Sequence, residues 1–592
     1  MCGIFGYKGD KQNAGQIVVE GLKRLDYRGY DSWGVGVVFK GSLVVKKQVG
    51  KISDIGNLDL PLSSTAIAHT RWATTGAVTQ INAHPHISSD GSFILAQNGI
   101  VENFIELKKT LLKKKYKFIS ETDTEVIVRL IEDSLKTEKE YFNAIRYAFL
   151  KLEGRNTIIL LTKTGEIYAA RNGSPLVVGI NSKTNEIFLS SDTLSFAPHA
   201  DQMIVLDNNQ MISIDNDRKI KIFDTKTGNP HKYKIERLTI HASKINKDGY
   251  DHFMLKEIYE TPYVIRQIVN QDKNKIEKFV QEIKSARHVY VIGSGTAGFA
   301  SAQIAFYLRV FGKINAISLV GADARSYYNM FQKDDLIIAP SQSGETADVI
   351  EVLEFAKEKG MKIASIVNMP GSMITRMSDF PFMCNAGPEI CVMSTKVFSS
   401  QISWGYLLAK AVQNKFEEGK KNLTVLAVTI NEYLANINNL DTLKNLAEKL
   451  SKKQHIFLLG KYQNLAIINE GMVKMIEASY KHAHAVPAGD LKHYAITLME
   501  KGISVIVVVS NDVIKTDINT SIDEVRLRGA EVIAIAHGKH ENYDYYIPTH
   551  DTKETDAIGN IIPLQLLAYY MAVKLGNNVD KPRNIAKSVT VK

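Results

Sequence analysis

DLIIAPSQSGETADVIEVLEFAKEKGMKIASIVN, residues 335–368, reads as strand, polar loop, helix, glycine, strand. The first run is apolar and of strand length, a helix starts near Thr346, and KIASIVN is a second β-rich run. A strand returned to its own sheet by a helix is the βαβ unit of a parallel sheet. Upstream, RHVYVIG, a helix from Gly298 and INAISLV continue the alternation. The pattern then repeats. ARHVYVIGSGTAGFASAQIAFYLR (286–309) is matched by KQHIFLLGKYQNLAIINEGMVKMIEAS (453–479), and 335–368 by ISVIVVVSNDVIKTDINTSIDEVRLRGAEVIAIAH (503–537). The C-terminal half is therefore read as two similar α/β domains. The first copy keeps Gly and Ser in its loops and the second does not, so one copy is expected to hold a ligand and the other to supply different chemistry.

Residues 2–240 read differently. Short β-branched runs such as SWGVGVVFK, SFILAQNG and NTIILLTKTGEIYAA surround two helical stretches, VENFIELKKTLLKK and TDTEVIVRLIEDSLK. This predicts a layered α+β domain. From 241 to 284 the chain is polar and charged and is read as a linker with one helix. The expected domains are 2–240, 285–430 and 440–575, with a tail at 576–592. A length of 592 residues fits three to four domains at about 150 residues each.

Composition excludes several classes. Hydrophobic residues make up 45% and charged residues 23%, as in ordinary globular proteins. The longest apolar run, ISVIVVVS at 503–510, is strand length, so no membrane span is expected. Three cysteines, Cys2, Cys384 and Cys391, cannot build a disulfide framework, and MCGIFGYKGD lacks the layout of a signal peptide; a cytosolic location is expected. The net charge is +10, and KKTLLKKKYK at 108–117 is the densest basic run. Leu111 and Leu112 interrupt it, so it is read as a solvated helix face, with no nucleic-acid partner expected.

Cys2 follows the initiator methionine directly. Once Met1 is removed, thiol and α-amine share one residue, and an amine that titrates near 7.7–8.0 can activate the thiol beside it. Further along lie RGYDS (28–32), HTRWAT (69–74), NAHPH (82–86), QNGIVEN (97–103) and SETDTE (120–125). In order and spacing these motifs resemble the glutamine-hydrolysing domain of the N-terminal-nucleophile amidotransferases, which implies a four-layer α+β fold. The resemblance implies that Cys2 is the nucleophile, that Asn98 and Gly99 form the oxyanion hole, and that Arg71 and Asp123 grip the carboxylate and ammonium of glutamine. It also implies that Trp72 covers the site and gates an ammonia channel, and that His84 lines it. The competing readings are a structural Arg71–Asp123 ion pair, a loop histidine and an Asn-Gly hairpin turn. The HPH pair has no third ligand at metal spacing, so no metal is expected.

GSGTAG at 293–298 matches the dinucleotide fingerprint, but no acidic residue is clearly placed for a ribose. In SQSGETAD (341–348), Ser341, Ser343 and Thr346 put three hydroxyls at a helix start, a set that suits a compact phosphate monoester. A purely structural cap is the alternative. This loop, NAGPEICVMSTK (385–396) and the repeat resemble the paired sugar-isomerase (SIS) domains, which are flavodoxin-like parallel α/β domains that bind phosphosugars. Taken over the whole chain, including the tail DKPRNIAKSVTVK, the sequence resembles the glutamine-dependent aminotransferases that aminate and isomerise a ketose phosphate.

Glu470, Lys474 and Glu477 fall at i, i+4 and i+7, on one face of an apolar helix. The resemblance implies Glu477 as the isomerisation base, supported by Glu470 and Lys474, and a buried carboxylate there would be more basic than usual. It implies His493 in DLKH as the ring-opening histidine and Lys587 in AKSVTV as the amine that forms an imine with the open sugar. It implies that Thr296, Ser341, Gln342, Ser343, Thr346 and Ser394 bind the sugar phosphate. Glutamine and fructose 6-phosphate are then the substrates, glucosamine 6-phosphate and glutamate the products, with no cofactor and a homodimer expected. The chain departs from the family at SGTA, where CGTS is usual, at AGDLKHY for AGELKHG, and at Gln97 for His. Two alternatives remain open: an aminotransferase for another ketose phosphate, pointed to by Ala297 and Tyr494, and a sugar-phosphate-binding regulator with a degenerate amidotransferase domain.

Overall fold

Strands with alternating apolar faces need two partners, and the N-terminal strands find both. The computed structural model describes residues 2–25, 29–238 and 246–590. In an eight-stranded antiparallel sheet the strand Gly3–Lys8 lies between Thr65–Arg71, with Ile4 opposite His69, and Ile187–Ser190, with Phe5 opposite Ser190. A six-stranded sheet carries Phe93–Gly99 against Asn156–Thr162, with Gly99 opposite Asn156. Ile4 and Ile67 of the first sheet share one core with Ile94, Ala96 and Ile159 of the second. Phe5 and Tyr7, on the other face of the same strand, pack on Val18, Val19 and Leu22 of the helix Ala14–Lys23. Leu95 and Leu160 pack on Val126, Ile127 and Ile131 of the helix Asp123–Leu135 and on Ile145 of the helix Tyr141–Leu150. The result is four layers, helix–sheet–sheet–helix.

Two of these helices, Ala14–Lys23 and Tyr141–Leu150, were not expected from the sequence. AGQIVVEGLK carries two glycines and adjacent β-branched valines, which weaken its local helix signal. Burial of one face against the sheet outweighs propensity. In the basic run, the helix Phe104–Lys113 buries Leu111 and leaves Leu112 52% exposed, as a solvated face requires.

The second compact unit, Ile245–Lys587, holds two five-stranded parallel sheets. The first contains Val289–Gly293, Ala316–Val320, Leu336–Ser341, Lys362–Val367 and Phe380–Met383, and the second His455–Gly460, His482–Pro487, Ser504–Val509, Glu531–Ala536 and Tyr545–Pro548. In both, the spatial order is second, first, third, fourth, fifth. This flavodoxin-like order puts the switch point between the first and third strands, where ligands bind at the carboxyl ends. In the first copy the loops there are 294–295 and 342–346, which carry the Gly- and Ser-rich motifs.

The expected linker is a correction. In place of one helix, 241–284 contains Phe253–Tyr259 and Thr261–Val269 and most of Lys273–Ser285, with Met254, Ile258, Ile265, Ile276 and Phe279 fully buried in the α/β core. The outward charges of KNKIEKFVQEIKS mask the helical spacing of Ile276, Phe279, Val280 and Ile283. Among the described residues no helix is long and apolar enough to cross a membrane.

Candidate functional site

Cys2 sits just before the central strand Gly3–Lys8, and Trp72 just after the neighbouring strand Thr65–Arg71. The pairing brings them together: Trp72 N donates to Cys2 Sγ at 3.3 Å, and Sγ donates to Trp72 O at 3.6 Å. The Trp72 ring packs edge-on against Tyr30 at 5.4 Å. Burial pushes the Cys2 thiol up, and the nearby Arg71 guanidinium works against that. A thiol raised in this way is nucleophilic only when a base takes its proton. Met1, and Arg28 of the RGYDS motif, lie outside the described residues; Asp31 of the same motif accepts from Ala73 N at 2.8 Å.

Asn98 and Gly99 end a strand of the opposite sheet. Asn98 Oδ1 accepts from His69 Nε2 at 3.2 Å, and the same nitrogen donates to Gln97 O at 2.8 Å. Two acceptors fix the proton on Nε2, and burial moves the His69 pKa to about 3, so the ring is neutral. This contact takes up the oxygen end of the Asn98 amide and leaves Nδ2 as its donor end. Gly99 has φ +126°, and a Cβ there would lie 2.0 Å from Arg155 O. Only glycine fits this backbone.

His84, expected to line the site, has both ring nitrogens committed elsewhere. Gln97 N donates to Nδ1 at 3.4 Å, and Nε2 lies 3.0 Å from Thr124 Oγ1. Thr124 gives its one hydroxyl proton to Gln97 Oε1, so His84 Nε2 is the donor, and Gln97 Nε2 passes on to Asn156 Oδ1 at 2.7 Å. Gln97, the departure from the family's histidine, is thus the centre of a closed network that braces the strand Phe93–Gly99.

Arg71 and Asp123 form no ion pair with one another among the described residues. Three of the five Arg71 N–H groups donate to Thr75 O, Gly76 O and Ala77 O at 2.6, 3.1 and 3.1 Å. Asp123 Oδ2 accepts from Val101 N at 2.8 Å. Both side chains are buried, and burial moves each towards its neutral form. Two buried, opposite and mutually unpaired charges match the two ends of an amino acid.

In the second unit, the turn after Val289–Gly293 is so tight that a Cβ on Gly293 would lie 2.4 Å from Ala297 O. The first glycine of GSGTAG is explained by this turn. Thr296 opens the helix Thr296–Val310, and its Oγ1 donates to Glu470 Oε1 at 3.2 Å. On the helix Leu465–Ser479, Lys474 Nζ lies 3.4 Å from Glu470 Oε1 and 2.5 Å from Glu477 Oε2. Glu470 and Lys474 side chains are fully buried, and burial pushes Glu470 up to about 8. Burial opposes the Lys474 charge, but the two carboxylates outweigh it and raise its pKa. The buried carboxylate expected at Glu477 is instead Glu470; Glu477 is 24% exposed.

In the hydroxyl-rich turn, Ser341 Oγ accepts from Gly344 N at 2.9 Å and Ser343 Oγ from Glu345 N at 3.2 Å. Gln342 O accepts from Met369 N at 3.2 Å. Thr346 precedes the helix Ala347–Glu358 but makes no side-chain cap bond, against the purely structural reading of this loop. The turn is tied to the 385–396 loop by Asn368, which donates its N–H to Ser341 O at 3.3 Å and its Nδ2 to Gly387 O at 2.8 Å. That loop carries half-buried Ser394, and it holds Lys587, whose Nζ donates to Glu389 Oε2 at 2.8 Å and to Cys391 O at 2.6 Å. The Lys587 side chain is 5% exposed, so the tail is not frayed there. His493 stands apart. It ends the short 3-10 helix Ala488–His493, is exposed, and no hydrogen bond or ion pair joins it to the Glu470 cluster among the described residues.

Sequence reasoning missed His69, Thr124 and Glu389. His69 lay inside a quoted motif with no role. The signal for Glu389 was a lone acid flanked by Pro388 and the apolar ICVM run.

Residues 69–197 match a family model described as a glutamine amidotransferase domain, and residues 282–411 and 449–575 match the SIS domain model. Fold and site together define an amidotransferase domain joined to a pair of sugar-isomerase domains. More closely, the chain belongs to the family of glutamine–fructose-6-phosphate aminotransferases (isomerizing). It is 36% identical over 612 residues to that protein of Pyrococcus horikoshii, and 36% identical over 619 residues to that of Clostridium tetani, with 100% of each chain covered in both cases. The solved C-terminal domain of glucosamine-fructose-6-phosphate aminotransferase from Francisella tularensis is 28% identical and superposes with a TM-score of 0.53, covering 57% of this chain and 100% of that one.

Proposed function

We propose that the protein takes nitrogen from glutamine at Cys2 and fixes it on fructose 6-phosphate, releasing glutamate and glucosamine 6-phosphate. Relatives that span the whole chain carry this activity in their names. In the first half-reaction Cys2 attacks the carboxamide carbon while its α-amine takes the thiol proton, as a thiol raised by burial requires. Asn98 Nδ2 and the Gly99 N–H receive the oxyanion. Arg71 and Asp123 hold the amino-acid carboxylate and ammonium, under Trp72.

In the second half-reaction Thr296, Ser341, Gln342, Ser343, Thr346 and Ser394 hold the phosphate and sugar hydroxyls. His493 opens the ring and Lys587 captures C2 as an imine. Glu477 then moves a proton between C1 and C2, with Glu470 and Lys474 setting its charge. The observation that carries this reading is the hydrogen-bonded chain from Ser341 through Asn368 to the loop that holds Lys587. It supports phosphate and amine sites facing one substrate. We take the domains as 2–240, 285–430 and 440–575, completed by the tail 576–592, in a homodimer.

The test is to assay glucosamine 6-phosphate and glutamate formation from glutamine with fructose 6-phosphate and with other ketose phosphates. Turnover of fructose 6-phosphate, with glutamate release lost in Cys2→Ala, is the expected result. Turnover of another ketose phosphate alone would move the selectivity to Ala297 and Tyr494. Glutamate release unchanged in Cys2→Ala would overturn the nucleophile.

A further inference from the structure

Two carboxylates of different character surround the loop that holds Lys587. Glu389 bonds its Nζ directly through Oε2, while Glu389 Oε1 accepts from Thr395 N at 3.0 Å and Val397 N at 3.1 Å. Glu257 faces the same loop from the helix Phe253–Tyr259, its Oε1 accepting from Ile390 N and from Cys391 N at 3.2 Å. Glu257 Oε2 is buried with no hydrogen-bond partner. Lys396, the other cation here, is taken by Glu260 Oε2 at 2.6 Å and Pro388 O at 2.7 Å, and Asp580 accepts from Phe253 N and Met254 N. Burial and the Glu389 charge push Glu257 up to about 8, whereas burial of Glu389 is outweighed by Lys587 and keeps it ionised. The pocket thus contains one ionised acid, on the lysine, and one neutral acid, clamping the peptide whose carbonyl also holds that lysine.

We propose that Glu389 is the acid–base residue of imine formation at Lys587, and that Glu257 is a positioning residue that fixes the 390–391 backbone. The inference rests on Lys587 being the amine that captures the ketose. Glu389 takes a proton from the Lys587 ammonium, and the freed amine pair forms the N–C2 bond as the carbonyl π pair moves to oxygen. The amine proton passes to that oxygen, giving the neutral carbinolamine. Glu389 then returns its proton to the hydroxyl, water leaves with the C–O pair, and the nitrogen pair closes the iminium. The carboxylate is regenerated, and one water is lost.

The full-length protein is incubated with fructose 6-phosphate and borohydride, and the sugar adduct on Lys587 is timed by peptide mass spectrometry. Glu389→Gln, whose amide oxygen can still accept from Thr395 N and Val397 N, is expected to slow adduct formation by about 10²–10⁴-fold, the usual range for a lost general acid–base. Glu389→Asp is expected to recover part of that rate. Glu257→Gln, whose amide oxygen can still accept from Ile390 N and Cys391 N, is expected to leave kcat and KM for fructose 6-phosphate within about threefold, whereas Glu257→Leu, which loses that acceptor, is expected to lower kcat with KM within about threefold. Wild-type labelling that persists unslowed in Glu389→Gln overturns the role of Glu389. A change confined to KM in Glu257→Leu overturns the positioning role. No adduct on Lys587 in the wild type overturns instead the reading on which both rest. A thermal melt of each variant, measured alongside, reports that the chain is folded.

Discussion

Replacing Gly99 with alanine tests the oxyanion strand at its narrowest point. The new Cβ would stand 2.0 Å from Arg155 O, against an ordinary contact of 3.4 Å or more, and the obstacle is backbone rather than a flexible side chain. The strand end must retreat by roughly 1 Å, a misplacement that can lower a rate about 10²-fold. The φ of +126° adds strain of about 1–3 kcal/mol in any residue bearing a side chain. Loss of one oxyanion donor alone typically lowers kcat by about 10²–10³. The expected outcome is a fall of about 10²–10³ in kcat for glutamate release, with a small change in KM, since Arg71 and Asp123 are untouched. Steady-state glutaminase assays and a thermal melt on the same preparation measure both terms. A folded Gly99→Ala protein with kcat within threefold of wild type would refute the placement of the oxyanion at this strand end.

His69→Ala removes the donor that fixes the Asn98 oxygen. A neutral hydrogen bond is worth about 0.5–1.5 kcal/mol, so kcat for glutamate release should fall a few-fold to about tenfold, with partial recovery in His69→Gln, read from kcat at saturating glutamine. Glu470 has a folded pKa raised to about 8, so the folded state holds its proton longer and stability falls as pH rises from about 4.3 towards 8. Glu470→Gln should flatten that slope in melts across this range while abolishing sugar turnover. His537 is opposed by burial but raised overall by Asp556 Oδ2 at 2.7 Å. Its contribution is complete below the ordinary histidine pKa and is lost as pH rises through the folded one, so the Tm penalty of His537→Gln should shrink from pH 6 to pH 9.

The parallel half was legible because two strand–loop–helix–strand units recur with the same period, and a repeated sheet leaves a repeated sequence. The helices before it were not, because KNKIEKFVQEIKS presents charges on every turn and hides its core face. In the amidotransferase half, roles for Cys2, Arg71, Asn98 and Asp123 came from the resemblance of ordered motifs, whose residue types suit the chemical tasks proposed. Orientation did not. That His84 braces a strand depends on a Thr124 hydroxyl proton directed to Gln97 across 27 residues of chain, and that His69 fixes an amide depends on two acceptors that folding brings to its Nε2. The buried carboxylate of the Glu470–Lys474–Glu477 triplet was misplaced for a related reason. Spacing gives the shared helix face, but burial is set by the neighbouring domain, whose Thr296 covers Glu470.

That Thr296–Glu470 contact crosses from one copy of the duplicated sheet to the other. The two copies differ in what they bring to it: the first holds the Ser- and Gly-rich turns, and the second contributes the charged helix Leu465–Ser479. Such a pair has become mutually dependent, like two halves of a broken key. Neither could be excised as a working module, and drift in one would have to be answered by change in the other.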